Sequence, residues 1–386
     1  MNDHQYRLLL DILAQPTAPF REEHVIATVS RALEESKVPF FADPMGNLVV
    51  GAGSRKEYLD LAREKSAEPL RMFIAHMDHP GFHGVEWLAA RRLKVRWHGG
   101  APVKHLAGAR VWLADGNGWA GSGLLANIKL TASKRTIASA EVRLDTPLDL
   151  PAKTLYGGFQ FRAPVWRSGR RLYTKAADDL AGVFAIVATA QEFFRRRRTA
   201  KPPFLGLLTR AEEVGFIGAI GHFELGWLDQ SRGRRPAVCV SLEASRTLPG
   251  AVVGKGPVVR LGDRRTVFQP GGLKVLADLA EQILPGRHQR RIMDGGACEA
   301  TAATVYGFDA IGLSVPLGNY HNQGFEGGPD CPRSDGPAPE FVHLDDIAGE
   351  LALCRALLKP DLPWVDPWNK QRQIFRKSLR HYRRLL

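Results

Sequence analysis

Lys175-Ala176-Ala177-Asp178-Asp179-Leu180-Ala181-Gly182 sets two adjacent carboxylates directly before a long apolar run, Val183 to Phe194. The run reads as a buried helix. Carboxylates avoid the mouth of such a helix unless a cation or a hydrogen-bond network holds them there. Two readings are open at this point. The pair can cap the helix, since Asp in a first turn suits the helix dipole, or it can hold a cation. The rest of the chain has to decide between them.

Upstream of the pair, from about Glu86 to Tyr173, helical periodicity is lost. Short strand-like runs such as Leu93–Trp97, Ala109–Leu113 and Ala140–Leu144 alternate with turns, among them Asp115-Gly116-Asn117-Gly118. That texture reads as a small all-β domain inserted into the chain. Downstream, strands over Pro203–Thr209, Ala237–Leu242 and Ala310–Val315 are separated by helix-like runs. This alternation argues for an open α/β sheet. Before the insertion lie two helices within residues 3–36, a strand at Leu48–Val50 and a strong buried strand, Leu70–Ala75. Asp345-Asp346 is expected to cap a last core helix running through Leu358. The expected organisation is therefore a discontinuous catalytic α/β part (1–85 and 174–360), an inserted barrel-like module (86–173) and a basic tail (361–386).

Composition narrows the function classes. An apolar share of 44% with 24% charged residues is that of an ordinary globular protein. The first residues, Met1-Asn2-Asp3-His4, carry no basic leader, and no run approaches the roughly 20 apolar residues of a membrane helix. A cytoplasmic protein is expected. Cys239, Cys298, Cys331 and Cys354 lack zinc-ribbon or CxxC spacing, which suggests reduced thiols. Net charge is +13, and residues 370–386 hold seven Lys or Arg and no acid, leaving 13 − 7 = +6 on the rest. In that tail Phe375, Leu379, Tyr382 and Leu386 recur at helical spacing, and docking of the stripe on protein is the expectation. Arg195 to Arg198 read as a solvated helix end, and the basic runs lack the interleaved aromatics of a single-strand nucleic-acid site.

Five pieces fall at or just beyond strand ends, the edge where open α/β sheets bind ligands. They are His76-Met77-Asp78, Asp178-Asp179, Glu212-Glu213, Glu243 and His321. The spacing of two puts His76 and Asp78 on one side of an extended chain, so that Asp78 can orient the imidazole. A buried strand runs into Glu212-Glu213 with no lysine placed to neutralise them. Glu243 ends an otherwise apolar strand and needs a partner. Two imidazoles with several carboxylates suit zinc, cobalt or manganese. That many anions in one cleft repel without cations. Two divalent ions resolve the repulsion, with Asp178 the natural bridge because it lies centrally among the other ligand-bearing segments.

Read together, Ala75-His76-Met77-Asp78, Lys175-Ala176 leading to Asp178-Asp179, Glu212-Glu213-Val214-Gly215, Gly254-Lys255-Gly256-Pro257 and Cys298-Glu299-Ala300 followed by Ile311 to His321 form an ordered set. The set resembles the co-catalytic metallo-aminopeptidases of the glutamyl aminopeptidase and tetrahedral (TET) aminopeptidase family. The resemblance implies a zinc-peptidase-like mixed-sheet α/β/α fold and an inserted domain that helps build dimers or assemblies up to dodecamers. It gives one ion to His76, Asp178 and Glu243, and a second to Asp178, Glu213 and His321. Glu212 matches the general base, Asp78 the orienter of His76, and the Asp178–Asp179 bond is expected in cis. There are three departures from the family pattern: Glu243 stands where it has Asp, Leu180 where it has Arg, and the pair Cys298-Glu299 where it has Thr-Asp.

The expected activity is removal of N-terminal residues from peptides, through a water shared by two divalent ions and a Glu base. The alternative is an amidohydrolase or carboxypeptidase-type enzyme with the same centre, which Glu243 keeps open. A non-catalytic scaffold using the basic tail is the third reading, opposed by the intact ligand set.

Overall fold

Seven consecutive buried residues, Leu70–His76 (β3), run through the middle of the main sheet. A strand buried at every position needs cover on both faces, as parallel strands with helical crossovers have. The computed structural model of the protein describes all residues except 197–202, 229–234 and 294. Two short antiparallel strands, Phe40–Ala42 (β1) and Leu48–Val50 (β2), form one edge of the sheet. Next come Phe204–Thr209 (β12), β3, Ala237–Ser241 (β13) and Asp309–Leu317 (β17), each parallel to its neighbour. Val258–Asp263 (β15) runs antiparallel to β17, and Gln289–Met293 (β16) closes that side. Ala244–Arg246 (β14) pairs with the end of β17. The sheet is mixed, as expected.

The apolar run behind Asp178-Asp179 forms α4, Leu180–Arg196, which packs on β3 and β12. Each residue from Leu180 to Ala190 is buried. On it lie α1 (Asp3–Ala14), α2 (Glu23–Glu35) and α8 (Leu344–Leu357). Further cover comes from α7 (Glu299–Val305) on β13 and β17, with α5 (Ile217–Glu224) against it, and from α6 (Pro270–Ile283) on β15 and β17. A short helix, Arg55–Ala62 (α3), follows β2. Arg195 is exposed near the end of α4, whereas Arg197 and Arg198 lie outside the described residues.

Six strands close into a barrel in the order Gly81–Ala89 (β4), Arg92–His98 (β5), Ile137–Leu144 (β8), Gly118–Leu130 (β7), Arg110–Asp115 (β6) and Tyr156–Phe159 (β9). Its own core centres on Phe82, Val95, Trp97, Val111, Val142 and Phe159. The barrel strands thus begin at Gly81 and end at Phe159, where the sequence texture marks Glu86 and Tyr173. Val165–Ser168 (β10) and Arg171–Thr174 (β11) instead join Glu340–His343 (β18), because β11 takes its ladder from β18. Closure leaves the barrel no free edge, so it stands as a separate unit beside the sheet.

Two expectations change. The N-cap of α8 is His343, whose Nδ1 accepts from the Asp345 amide at 3.3 Å. Asp346 instead accepts from the amides of Gly254 (2.6 Å) and Gly256 (2.8 Å), donors that the Gly254-Lys255-Gly256 turn leaves without a ladder. The tail does form a helix, Asn369–Tyr382 (α9), but it buries no residue on its own subunit. No helix among the described residues is long and apolar enough to cross a membrane.

Inside α8, Glu350 is fully buried and neither carboxylate oxygen has a hydrogen-bond partner among the described residues. Burial, and then the nearby Asp346 charge, push it from its ordinary 4.5 up to about 8. The folded state therefore keeps a proton that the unfolded state has released above 4.5, so this group lowers stability as pH rises from about 4.5 to about 8. Thermal melts of Glu350→Gln should exceed the parent at pH 8, with the gap closing toward pH 4.5. A gap of constant size across that range contradicts a protonated Glu350.

Candidate metal centre

The order β12-β3-β13-β17 puts four parallel C-terminal ends side by side, and each delivers a polar group to one place. β3 ends in His76. β12 leads through Arg210 and Ala211 into a 3-10 turn, Glu212–Val214, with Ala211 at a φ of 53°. β13 is followed by Glu243, and β17 by a second 3-10 turn holding His321. Asp178-Asp179 arrives between β11 and α4, its peptide bond in cis. The seven residues given a site role from the sequence, His76, Asp78, Asp178, Glu212, Glu213, Glu243 and His321, come together here.

Asp178 is central. Its Oδ1 lies 3.4 Å from Nε2 of His76 and its Oδ2 3.5 Å from Nε2 of His321. Two triads share it: His76, Asp178 and Glu243 offer ligand atoms within 4.8 Å of one another, and so do Asp178, Glu213 and His321. His321 Nε2 is also 3.1 Å from Glu213. Glu212 stands at the rim, 3.9 Å from His76 Nε2. Asp179 does not join either triad; its Oδ1 accepts from the Gly182 amide at 3.1 Å and caps α4. The two readings of the Asp pair thus divide between its members.

The electrostatics are those of a crowded, buried set of carboxylates and imidazoles. Burial pushes Glu212 and Glu243 well above the usual carboxylate range, although Arg260 lies 3.7 Å from Glu243. Burial alone would lower His76, but the charges of Glu212, Asp178 and Asp78 raise it well above its ordinary value. His321 is buried too, and Glu213 and Asp178 lift it to about 10. Burial would raise Asp178, yet His321 and His76 outweigh it and hold its carboxyl low. Asp178 Oδ1, Glu213 Oε1, Glu243 Oε1 and His321 Nε2 are buried with no hydrogen-bond partner among the described residues. Nitrogen and oxygen donors left unsatisfied on both sides of one carboxylate fit divalent cations.

Asp78 works differently from the expected imidazole clamp. His76 Nδ1 donates to the backbone carbonyl of Asp78 at 3.0 Å, which leaves Nε2 of a neutral ring as an acceptor. The Asp78 carboxylate, 3.6 Å from that ring, accepts instead from the amides of Glu212 (2.9 Å) and Glu213 (3.1 Å). One residue therefore orients His76 and holds the turn carrying both glutamates.

Three further groups escape sequence reading. Glu340, fully buried at the start of β18, accepts from Ala177 N (2.6 Å), Asp178 N (3.2 Å) and His321 N (2.8 Å). It ties together two segments far apart in the chain. An acid opening the apolar run Glu340-Phe341-Val342 was the available signal, the same one that marks Glu243. His79 donates from Nδ1 to the Asp178 carbonyl at 2.8 Å, and burial pushes it down to about 4, so it stays neutral. Gly100, beyond barrel strand β5, approaches so closely that a Cβ there would sit 2.0 Å from His321 Nδ1. The barrel thus forms one wall of the site.

The three departures are also placed. Glu243 still reaches the triad of His76 and Asp178. Leu180 is buried in the core of α4. Glu299 accepts from Thr209 Oγ1 at 2.8 Å and lies with Glu212 and Glu243 in a third group of carboxylates. Beside Glu243 is a cavity of about 210 Å³, lined among others by Arg246, Leu248, Arg260, Tyr320 and Phe325.

Parallel strand ends of this order thus carry the cluster beside a closed barrel. Residues 60–324, more than half of the 386, match the family model of the M42 glutamyl aminopeptidases, and the protein belongs to that family. Family membership implies divalent metal ions. Among solved structures, the TET aminopeptidase of a marine-sediment Thaumarchaeota archaeon is 18% identical with a TM-score of 0.72, covering 94% of this chain and 99% of that one. The aminopeptidase of Desulfurococcus kamchatkensis is 18% identical with a TM-score of 0.70, covering 94% and 98%. The TET1 peptidase of Pyrococcus horikoshii, which can assemble into a tetrahedron or a large octahedral shell, is 20% identical with a TM-score of 0.68, covering 92% and 99%. At these identities the likeness is one of fold. No curated protein matches the chain in sequence.

Glu340→Gln replaces one shared acceptor oxygen by a donor facing backbone amides. Affinity for divalent ions should fall about 10–100-fold with the fold retained, read by chelator competition alongside circular dichroism. Gly100→Ala should do the same by pushing the His321 ring. Unchanged ion affinity in both variants would show that neither group orients the donors.

Proposed function

We propose that the protein is a two-ion aminopeptidase that removes N-terminal residues from peptides. The observation that carries this reading is the pair of triads sharing Asp178. His76, Asp178 and Glu243 would hold one ion and Asp178, Glu213 and His321 the other, with zinc the first choice and cobalt or manganese the alternatives. Bound there, the ions would supply Lewis-acid polarisation of the scissile carbonyl and a lowered pKa for the attacking water.

The remaining work falls to the chain. Glu212 is the general base: it takes the proton of the water and hands it to the departing amine. It suits that role because its carboxyl stands 3.9 Å from His76 Nε2 and belongs to neither of the two triads that share Asp178. Asp78 holds the backbone of Glu212, so the base is oriented by the same residue that orients His76. The cavity beside Glu243 offers room for the side chain of the residue being removed.

A second reading rests on Glu243, where the family has Asp. It is an amidohydrolase or carboxypeptidase-type enzyme acting on N-acyl amino acids or dipeptides. The inserted module, 86–173, is assigned to assembly of a homo-oligomer between dimer and dodecamer, in line with the shells formed by the Pyrococcus peptidase. The free state of all four cysteines suits a reducing compartment, and the cytoplasm is the proposed location.

Metal-loaded protein should hydrolyse aminoacyl-nitroanilides and spare N-acyl amino acids. Glu212→Gln should keep its ions by elemental analysis while kcat falls by about 10²–10⁴-fold. Turnover of the acylated compounds alone transfers the assignment to the second reading. Loss of the ions together with turnover in Glu212→Gln would count against the base role.

A further inference from the structure

α9 buries none of its residues among the described residues. It leaves the body at Trp368, over whose ring Lys274 lies. Ile374, Phe375, Leu379 and Tyr382 are each more than half exposed, as are Leu385, in the 3-10 turn after it, and Leu386 beyond that turn. At 3.6 residues per turn, Phe375, Leu379 and Tyr382 fall within an arc of about 60°. Arg372, Arg376, Arg380 and Lys377 spread over a separate arc of about 140°. The two arcs do not overlap, Leu379 and Arg372 marking a boundary about 20° wide.

The occupant of the apolar face must accept both features. Residues 370–386 carry seven cations and no acid, while the rest of the chain is itself at +6 (13 − 7), so docking on a second copy brings like charges together. A purely electrostatic partner such as a nucleic acid satisfies the cations and leaves the stripe in water. An anionic lipid surface satisfies both, since the acyl boundary takes the aromatic and aliphatic side chains while the headgroups face the guanidinium and ammonium groups.

We propose that α9 is a membrane-surface helix that lies along an anionic bilayer and holds the enzyme there without spanning it. Insertion is shallow and led by Phe375, Leu379 and Tyr382. Arg372, Arg376, Lys377 and Arg380 set the preference for negative headgroups. Attachment of this kind is reversible and weakens with salt.

Full-length protein is tested by sedimentation with vesicles of phosphatidylcholine alone or mixed with phosphatidylglycerol. Retention on the anionic vesicles should exceed that on neutral ones by at least about tenfold and fall with added salt. The double variant Phe375→Asp/Leu379→Asp should lose at least about tenfold of it, and so should Arg376→Glu/Arg380→Glu. Both should melt like the parent, because the substituted side chains are exposed. In Phe375→Trp, indole emission should shift to the blue on the anionic vesicles only. No retention on anionic vesicles overturns the proposal. So does retention that survives the Asp pair, which leaves only electrostatics, or a drop in subunit number in that variant, which assigns the stripe to a second copy.

Discussion

A single carboxylate, that of Asp178, stands between two imidazoles and carries the constraint on which the rest of the site depends. Around it Asp78, Asp179, Glu212, Glu213, Glu243, Glu299 and Glu340 are brought to one edge of the sheet, against His76, His321 and Arg260. Such a concentration of buried acids repels and is poorly solvated, and its groups respond by taking up protons or by drawing protons onto the histidines. Divalent cations remove that frustration. The fold supplies the opposite of what a stable apolar core would choose, and it does so where four parallel strands end together.

Precision at this edge comes from ties between distant segments. Glu340 holds the backbones of Asp178 and His321, and Asp78 holds those of Glu212 and Glu213. Each tie is a carboxylate accepting backbone amides, an arrangement that positions neighbours without spending their side chains. The barrel adds a steric term. Gly100 lets its loop press against the His321 ring, so the inserted module is a part of the site's wall as well as a separate core.

Much of this was legible in the residues. His76, Asp178, Glu212, Glu213, Glu243 and His321 announce themselves because each is polar chemistry at the end of an apolar strand or before an apolar helix. Glu340 carries the same signal more faintly: its strand is short and pairs outside the main sheet. Gly100 carries none, since a glycine in a loop says nothing of what its missing side chain would strike. Asp78 was marked for the right partner and the wrong contact, because a spacing of two cannot tell a carbonyl from a carboxylate.

By itself, the sequence determined the alternation of strands and helices, the inserted all-β texture, the residues able to bind ions and the division of α9 into two faces. These are local properties, written in periodicity and in polar groups set against apolar runs. Only the tertiary structure decided that Asp178 faces both imidazoles while Asp179 caps α4, that β11 finds its partner in β18, and that the α9 stripe remains uncovered. Each of these depends on which segments distant in the chain come within a hydrogen bond or a van der Waals radius of one another. Spacing along one strand or helix holds no record of that.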